Sequence, residues 1–232
     1  MIKKNKVLVF SAHPDDEVLG CGGTIAYHAK KGDEVFVCYL SEGVSARFDI
    51  NNKAKLEKEK ALREAMAFKA AKILNFKIVE FIGMPNLRME DQSKLDITKQ
   101  IIAINKKVNP SIVYMNFPGD LNTDHKVTFD SVYTALRPSP DNGVKIIRCY
   151  EVLSSTEWAS NIDFLTFKPD TFVDVSEFIE KKFKSISAYE GEMRDFPHPR
   201  SKEVIESLMK FRGSQVGLRY AEAFITIRNI IN

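Results

Sequence analysis

The feature that most constrains the fold is a cluster of ionisable residues directly behind a short apolar run. Residues Val7–Phe10 are all apolar, which predicts a buried strand, and the segment His13-Pro-Asp-Asp-Glu17 follows it. Several glycines then lead into a helical segment at about Gly22–Lys31. Open α/β sheets bind their ligands at the carboxyl ends of strands. The pattern therefore predicts a functional site at the end of this strand.

The rest of the chain alternates strand and helix patterns, which predicts an α/β fold. The first strand, the helix and the apolar run Val35–Leu40 form a β-α-β unit, and such crossovers build parallel sheets. Further strands are predicted at Lys77–Ile82, Ser111–Asn116, Ile146–Leu153 and Phe172–Val175, and helices at Asn52–Leu74, Asp96–Lys106, Val127–Leu136, Glu177–Glu192 and Lys202–Arg212. We expect a Rossmann-like, mostly parallel sheet flanked by helices, with an added C-terminal strand and helix segment, in one domain over residues 1–232.

Charge and cysteine content argue against several classes of protein. The 34 basic and 31 acidic residues leave a net charge of +3, too balanced to indicate a nucleic-acid partner. The three cysteines are an odd number without C-x-x-C spacing, which argues against a disulfide framework and fits a reducing compartment. No apolar stretch approaches the roughly 20 residues of a transmembrane helix. We therefore expect a cytoplasmic protein.

A second strand end repeats the arrangement of the first. The predicted strand Ser111–Asn116 leads into a polar loop that ends in Asp124 and His125, and a helical segment follows. His13 and Asp16, three residues apart in a loop, can converge on one ion. Catalytic zinc takes three protein ligands, and His125 is the best candidate for the third. Two loops at neighbouring strand ends are therefore predicted to share one site.

Each of these residues also has a purely structural interpretation. Asp16 or Glu17 would be favourable at a helix N-terminus without any ligand. His28 lies in the middle of a helix, where we expect it on the surface, and His198 lies far along the chain. A single acid favours the structural interpretation, whereas the combined acids and histidines of the two loops favour a functional site.

The glycine-rich stretch after the first acids is not a dinucleotide-binding fingerprint. In the pattern G-x-G-x-x-G the third glycine would stand where Ile25 stands. We expect Gly20, Gly22 and Gly23 to allow close packing of the helix on a strand.

The motifs together resemble the PIG-L/LmbE family of zinc-dependent N-acetylglucosamine-type deacetylases. The resemblance spans nearly the whole chain. It is carried by Ala12–Glu17, the loop Gly43–Arg47, the loop Gly119–His125, and the tail segments Pro197–Ser201 and Gly217–Phe224. The tail segments and the Asp-Leu-Asn-x-Asp-His form look similar to bacterial members of surface-glycan or amino-sugar metabolism.

The resemblance implies roles for individual residues. It implies His13, Asp16 and His125 as ligands of one zinc ion per chain, with other divalent ions as alternatives. It implies Asp15 as the general base and Arg47 on a loop that contacts the substrate. It also implies a homo-oligomer, a trimer or a hexamer.

One position departs from the family pattern. Many relatives have His-Pro-Asp-His in the second motif, where the first histidine pairs with an acid and assists the reaction, but here Asn122 stands in its place. Asparagine can donate a hydrogen bond to an oxyanion but cannot carry a proton at neutral pH. Either Asp15 acts as both base and acid, or His198 or Arg200 substitutes. Asp124 and Arg200 are also predicted to bind the substrate.

The predicted reaction is metal-dependent removal of an N-acetyl group from a small N-acetylated amino sugar or a glycoconjugate, which releases acetate and a free amine. Two alternatives stay open. The same loops could serve a metal-dependent esterase or phosphoesterase. The protein could also be a non-catalytic glycan- or nucleotide-binding α/β module, which would require a broken metal site.

Overall fold

A computed structural model describes residues 4–47, 52–159 and 166–231. Its strands are β1 (Lys6–Ser11), β2 (Glu34–Ser41), β3 (Lys77–Met84), β4 (Ile112–Asn116), β5 (Ile146–Tyr150), β6 (Thr171–Asp174) and β7 (Ala221–Asn229). Its α-helices are α1 (Asp16–Lys30), α2 (Lys53–Leu74), α3 (Lys94–Val108), α4 (Thr123–Ala135), α5 (Ile179–Ile186) and α6 (Lys202–Ser214). Short 3₁₀ turns lie at Ser45–Arg47 and Met89–Asp91.

The seven strands form one sheet in the order β3-β2-β1-β4-β5-β7-β6. The first five strands of this order are parallel, and β7 and β6 join antiparallel to their neighbours. This confirms the predicted mostly parallel sheet with a C-terminal addition. The chain order reverses between β1 and β4, so the two predicted loops lie side by side at the topological switch point of the sheet.

Helices cover both faces of the sheet. Val7 and Val9 pack into a cluster with residues of α1, α2 and α5, and Leu8 and Phe10 pack into a second cluster with α3 and α4. All four side chains are fully buried. A central parallel strand buried on both faces is expected to be apolar throughout, which explains the uninterrupted run.

Helix α1 begins at Asp16, earlier than the predicted start at Gly22, and Cys21 interrupts it with a φ of −142°. The helical pattern in the sequence therefore corresponds to the second half of α1. The Glu222 carboxylate accepts the backbone N–H groups of Gly23 and Thr24 at 2.8 and 2.7 Å and so caps that second half. A Cβ atom on Gly20 would lie 2.2 Å from the Tyr150 ring, which confirms the expected close packing of the helix on the sheet at Gly20.

Two further expectations about the helices were wrong. His28 is buried rather than exposed, because its face of α1 packs on the sheet: its Nδ1 lies 2.7 Å from Asp33 Oδ2 and its Nε2 lies 3.0 Å from the Tyr114 hydroxyl. The helix predicted over Glu177–Glu192 is the shorter α5, and turns follow it. Those turns bring Glu192 toward the carboxyl edge of the sheet.

The described part of the chain contains no helix that combines the length and apolar character needed to cross a bilayer.

Candidate metal centre and active site

Three buried side chains converge at the switch point. His13, Asp16 and His125 each direct one ligand atom into a cluster in which these atoms lie within 4.8 Å of one another. Asp16 Oδ2 lies 3.5 Å from His13 Nδ1 and 3.3 Å from His125 Nε2. The structure therefore brings together the three residues that were predicted to bind a metal.

Backbone and side-chain hydrogen bonds fix this cluster to three strands. Asn116, the last residue of β4, accepts the Ala12 N–H at 3.0 Å and donates to Asp16 Oδ2 at 3.1 Å. The Tyr150 hydroxyl at the end of β5 donates to Asn116 Oδ1 at 3.1 Å. The ends of β1, β4 and β5 therefore hold the Asp16 carboxylate in one position.

A carboxylate lies behind each imidazole of the cluster. His13 Nε2 is 2.9 Å from Asp124 Oδ2, and His125 Nδ1 is 3.0 Å from Asp120 Oδ2. The second contact has ion-pair distance without hydrogen-bond alignment. Asp120 is itself held by the Ser155 hydroxyl and by Thr156 Oγ1. Metal-binding histidines usually have such a carboxylate on the outer nitrogen, which fixes the tautomer and makes the inner nitrogen a better ligand.

The electrostatics of the cluster favour positive charge. Burial opposes protonation of His13, but hydrogen bonds to Asp124 and Asp16 outweigh it and raise the His13 pKa to about 9. Burial likewise opposes protonation of His125, but Asp16 and Asp120 raise its pKa to about 10. Nitrogen and oxygen donors without a thiolate suit zinc and other borderline or hard divalent ions. The residues present therefore fit a divalent cation.

Asp15 lies at the N-terminus of α1 in a strained conformation. Its φ is 137°, which is rare for a residue other than glycine, and strain of this kind concentrates at functional sites. Asp15 Oδ2 accepts hydrogen bonds from Arg63 Nη2 at 2.9 Å and from Arg200 Nη1 at 3.0 Å. The Asp15 N–H donates to Glu17 Oε2 at 3.0 Å. The predicted general base is thus held by groups on both sides.

A second carboxylate organises the arginines around Asp15. Glu192 accepts hydrogen bonds from Arg47 and Arg63 at 2.7 Å and from Arg200 at 2.8 Å. Burial opposes ionisation of Glu192, but the Arg47 hydrogen bond and the three guanidinium charges lower its pKa to about 2. We call Asp15, Glu192, Arg47, Arg63 and Arg200 the arginine–carboxylate network.

Sequence reasoning missed Arg63 and Glu192. The mixed charges of α2 indicate a solvated helix face, yet Arg63 is 4 % exposed and points inward. The available signal was its position one turn before the buried residues Met66 and Ala67, on the stripe that faces the sheet. Glu192 gave no comparable signal, because it was placed at the end of a longer helix.

Four residues of the network and His13 of the metal cluster line one cavity of about 270 Å³. Its walls include His13, the network residues Asp15, Arg47, Arg63 and Arg200, and the side chains Asn86, Leu87 and Asn122. The lining is mostly polar and carries several hydrogen-bond donors. A polar molecule in this cavity would contact both Asp15 and His13.

Two of the remaining predicted residues differ in their position relative to the cavity. Asn122 lines the cavity, and its Oδ1 accepts the Asp124 N–H at 2.9 Å as the N-cap of α4. His198 is absent from the described lining of the cavity. Its Nδ1 accepts the Arg200 N–H at 3.0 Å, and its ring makes an edge contact with Trp158. Its catalytic role stays a prediction.

Asp124 requires a correction. It was predicted to bind the substrate, but it is fully buried, and its oxygens are occupied by His13 and by backbone groups of a neighbouring loop. Asp124 Oδ2 accepts the Leu87 N–H at 2.7 Å, and Oδ1 accepts the Met89 N–H at 3.2 Å. Asp124 therefore orients His13 and the cavity wall instead of contacting a ligand.

Two relatives of this chain are named as deacetylases. A diacetylchitobiose deacetylase from Thermococcus kodakarensis is 25% identical over 229 residues, which cover 94% of this chain and 81% of that protein. A probable N-acetyl-alpha-D-glucosaminyl L-malate deacetylase 2 from Bacillus anthracis is 29% identical, with 82% of each chain covered.

A solved structure with a similar fold is the 4-carboxy-2-hydroxymuconate hydratase from Pseudomonas putida KT2440. It has a TM-score of 0.78 and 24% identity, and the match covers 98% of each chain. The fold alone therefore occurs with more than one reaction.

The PIG-L family model, described as GlcNAc-PI de-N-acetylase, matches residues 8–136 and includes all three residues of the metal cluster. Because this match covers more than half of the chain, the protein belongs to the PIG-L family.

Proposed function

We propose that this protein is a zinc-dependent N-deacetylase that hydrolyses the N-acetyl group of an amino sugar or glycoconjugate to acetate and a free amine. The observation that carries the proposal is the shared cavity: His13 of the His13–Asp16–His125 cluster and Asp15 line the same space. The two relatives named as deacetylases of N-acetylated sugars support the same reaction class.

One zinc ion would be held by His13, Asp16 and His125, and other divalent ions fit the same donors. An ion bound there supplies a Lewis acid that polarises the acetamide carbonyl and lowers the pKa of a water molecule toward ~7. Asp120 and Asp124 keep the two imidazoles oriented for this task, and Asn116 does the same for the Asp16 carboxylate.

Asp15 transfers a proton from the attacking water to the departing nitrogen. Its carboxylate accepts a proton from the attacking water as the oxygen–carbon bond forms, and it returns a proton to the nitrogen as the carbon–nitrogen bond breaks. Arg63 and Arg200 hold one oxygen of Asp15, so the carboxylate cannot rotate away from the cavity. Holding the base in position before the reaction lowers the entropic part of the barrier.

The polar cavity suits a sugar. Asn86, Asn122 and Arg47 provide donors and acceptors for hydroxyl groups, and Leu87 provides an apolar contact for a ring face. Specificity would lie in the rim loops 41–51 and 84–95, although residues 48–51 lie outside the described part of the chain. The substrate would be a small N-acetyl sugar or a glycoconjugate.

We place the reaction in the cytoplasm, in a single domain over residues 1–232. Three buried cysteines with free thiols support a reducing compartment. A trimer or hexamer stays a prediction.

The test is acetate release by the purified, zinc-loaded protein from a panel of N-acetyl sugars, free or linked to a nucleotide, lipid or thiol, together with O-acetyl analogues. We expect turnover of at least one N-acetyl substrate, loss of activity after chelation and recovery with zinc. Release from O-acetyl analogues alone would indicate an esterase. Ligand binding without zinc and without turnover would indicate a binding module.

A further inference from the structure

We propose that Arg200 is a catalytic residue of the deacetylation: its guanidinium stabilises the negative oxygen of the tetrahedral adduct, and Asp15 is the sole proton carrier. The inference rests on the proposed function. It follows from three observations: the positions of the histidines, the contacts of Arg200, and the movement of charge during the reaction.

All four histidines lie within the described residues, and each is either held by other side chains or absent from the described cavity lining. His13 and His125 each have carboxylates beside both ring nitrogens. His28 is bonded to Asp33 and Tyr114. His198 is absent from the described cavity lining, and its Nδ1 is occupied by a backbone N–H group. Proton transfer therefore falls to Asp15, the one carboxylate of the described lining.

Arg200 is held in place and still has donor capacity. Its Nε donates to Ser154 Oγ at 2.6 Å, and its Nη1 donates to Asp15 at 3.0 Å and to Glu192 at 2.8 Å. Its Nη2 has no hydrogen-bond partner among the described residues, and Arg200 lines the cavity. A fixed donor of this kind needs no reorganisation when negative charge develops next to it.

Arg200 fits this role better than the other two arginines of the network. The Arg63 side chain is only 5 % exposed, and its terminal nitrogens are used by Asp15 and Glu192. The Arg47 side chain is 48 % exposed, and it contacts Glu192 rather than Asp15. The Arg200 side chain is 18 % exposed and forms an ion pair with Asp15, the proton carrier.

The charge of Asp15 explains why the interaction strengthens during the reaction. When the oxygen–carbon bond forms, a water proton moves to Asp15, which becomes neutral, and the former carbonyl oxygen becomes negative. The negative charge of Asp15, with which Arg200 pairs, is lost. At the same time a new negative charge forms on the former carbonyl oxygen in the same cavity. When the carbon–nitrogen bond breaks, the proton moves from Asp15 to the nitrogen, and Arg200 keeps its own protons throughout. An interaction that gains strength in the transition state raises kcat.

The test compares zinc-loaded wild type with Arg200→Gln, Arg200→Lys and Arg200→Ala. Removing one oxyanion donor is expected to lower kcat about 10²- to 10³-fold, so Arg200→Gln should show this loss with KM changed less than about threefold. Exogenous guanidinium should restore part of the activity of Arg200→Ala, whereas sodium chloride at the same ionic strength should not. Exposed Arg137→Gln is the matched control and should keep full activity.

A binding measurement separates this inference from the proposed function. Methylphosphonate, a tetrahedral anion, should bind Arg200→Gln at least about tenfold more weakly than wild type at equal zinc content. If wild type releases no acetate, the proposed function fails. The methylphosphonate measurement then still shows whether Arg200 binds a tetrahedral anion in the cavity. If Arg200→Gln lacks a cooperative thermal transition, Arg200→Lys decides, with kcat expected to fall at least tenfold. A kcat near that of wild type, or a loss explained by missing zinc, would overturn the inference.

Discussion

His13 Nε2 lies 2.9 Å from Asp124 Oδ2, and the same carboxylate holds the backbone of the loop that forms one wall of the cavity. One buried acid therefore couples the orientation of a metal ligand to the shape of the substrate site. Because the Asp124 side chain is fully buried, this contact operates out of reach of water.

Asp124→Asn removes this charge and keeps nearly the same shape. Loss of a carboxylate behind a ligating histidine typically costs about 10- to 100-fold in metal affinity, and we expect a loss in this range. Competition with a chromophoric zinc chelator measures it. Asp130→Asn on the same helix is the matched control, because the Asp130 side chain is 59 % exposed. Equal zinc affinity of Asp124→Asn and wild type would contradict the assigned role.

Glu192 predicts a pH dependence of stability. Its pKa is about 2 in the folded chain and about 4.5 when unperturbed, so its stabilising contribution is complete above pH 4.5 and is lost as the pH falls toward 2. The shift corresponds to about 3 kcal/mol. The difference in the free energy of unfolding between wild type and Glu192→Gln should therefore shrink from pH 7 to pH 3 in urea titrations.

Glu190→Gln is the control for that series. Glu190 forms an exposed ion pair with Lys69, so its substitution should change the free energy of unfolding little at either pH. A difference for Glu192→Gln that stays constant between pH 7 and pH 3 would show that the network contributes nothing through ionisation of Glu192.

Lys182 forms a buried ion pair with Glu222, with 2.6 Å between Nζ and Oε1. Lys182→Met leaves the Glu222 charge buried with only N–H and O–H donors, and breaking such a pair typically costs about 3–5 kcal/mol. We expect a loss of this size in the free energy of chemical unfolding. Lys181→Met on the exposed face of the same helix should change it far less. Equal losses for the two variants would contradict the assignment.

The sequence predicted those parts of the site that lie close together in the chain or at the ends of strands. His13, Asp15 and Asp16 belong to one short segment, and His125 follows a strand that was recognised from its apolar residues. Parallel strands place these loops at one edge, so the fold itself brings the metal cluster together.

The parts that the sequence did not predict depend on long-range contacts. Arg63 and Glu192 are separated by 129 positions, and neither carries a local pattern that names its partner. His28 looked exposed because a polar residue within a helix is usually solvated, yet Asp33 and Tyr114 satisfy both of its nitrogens. Asp124 looked like a substrate ligand because its burial becomes visible only in three dimensions.

The most direct test of the account is acetate release by Asp15→Asn in comparison with wild type, at equal zinc content and with the best N-acetyl substrate of the panel. Asparagine keeps the shape of Asp15 but cannot accept the water proton. General acid–base catalysis typically contributes about 10²- to 10⁴-fold, so kcat should fall by at least about 10²-fold. An Asp15→Asn variant that binds zinc normally and releases acetate at the wild-type rate would contradict the account.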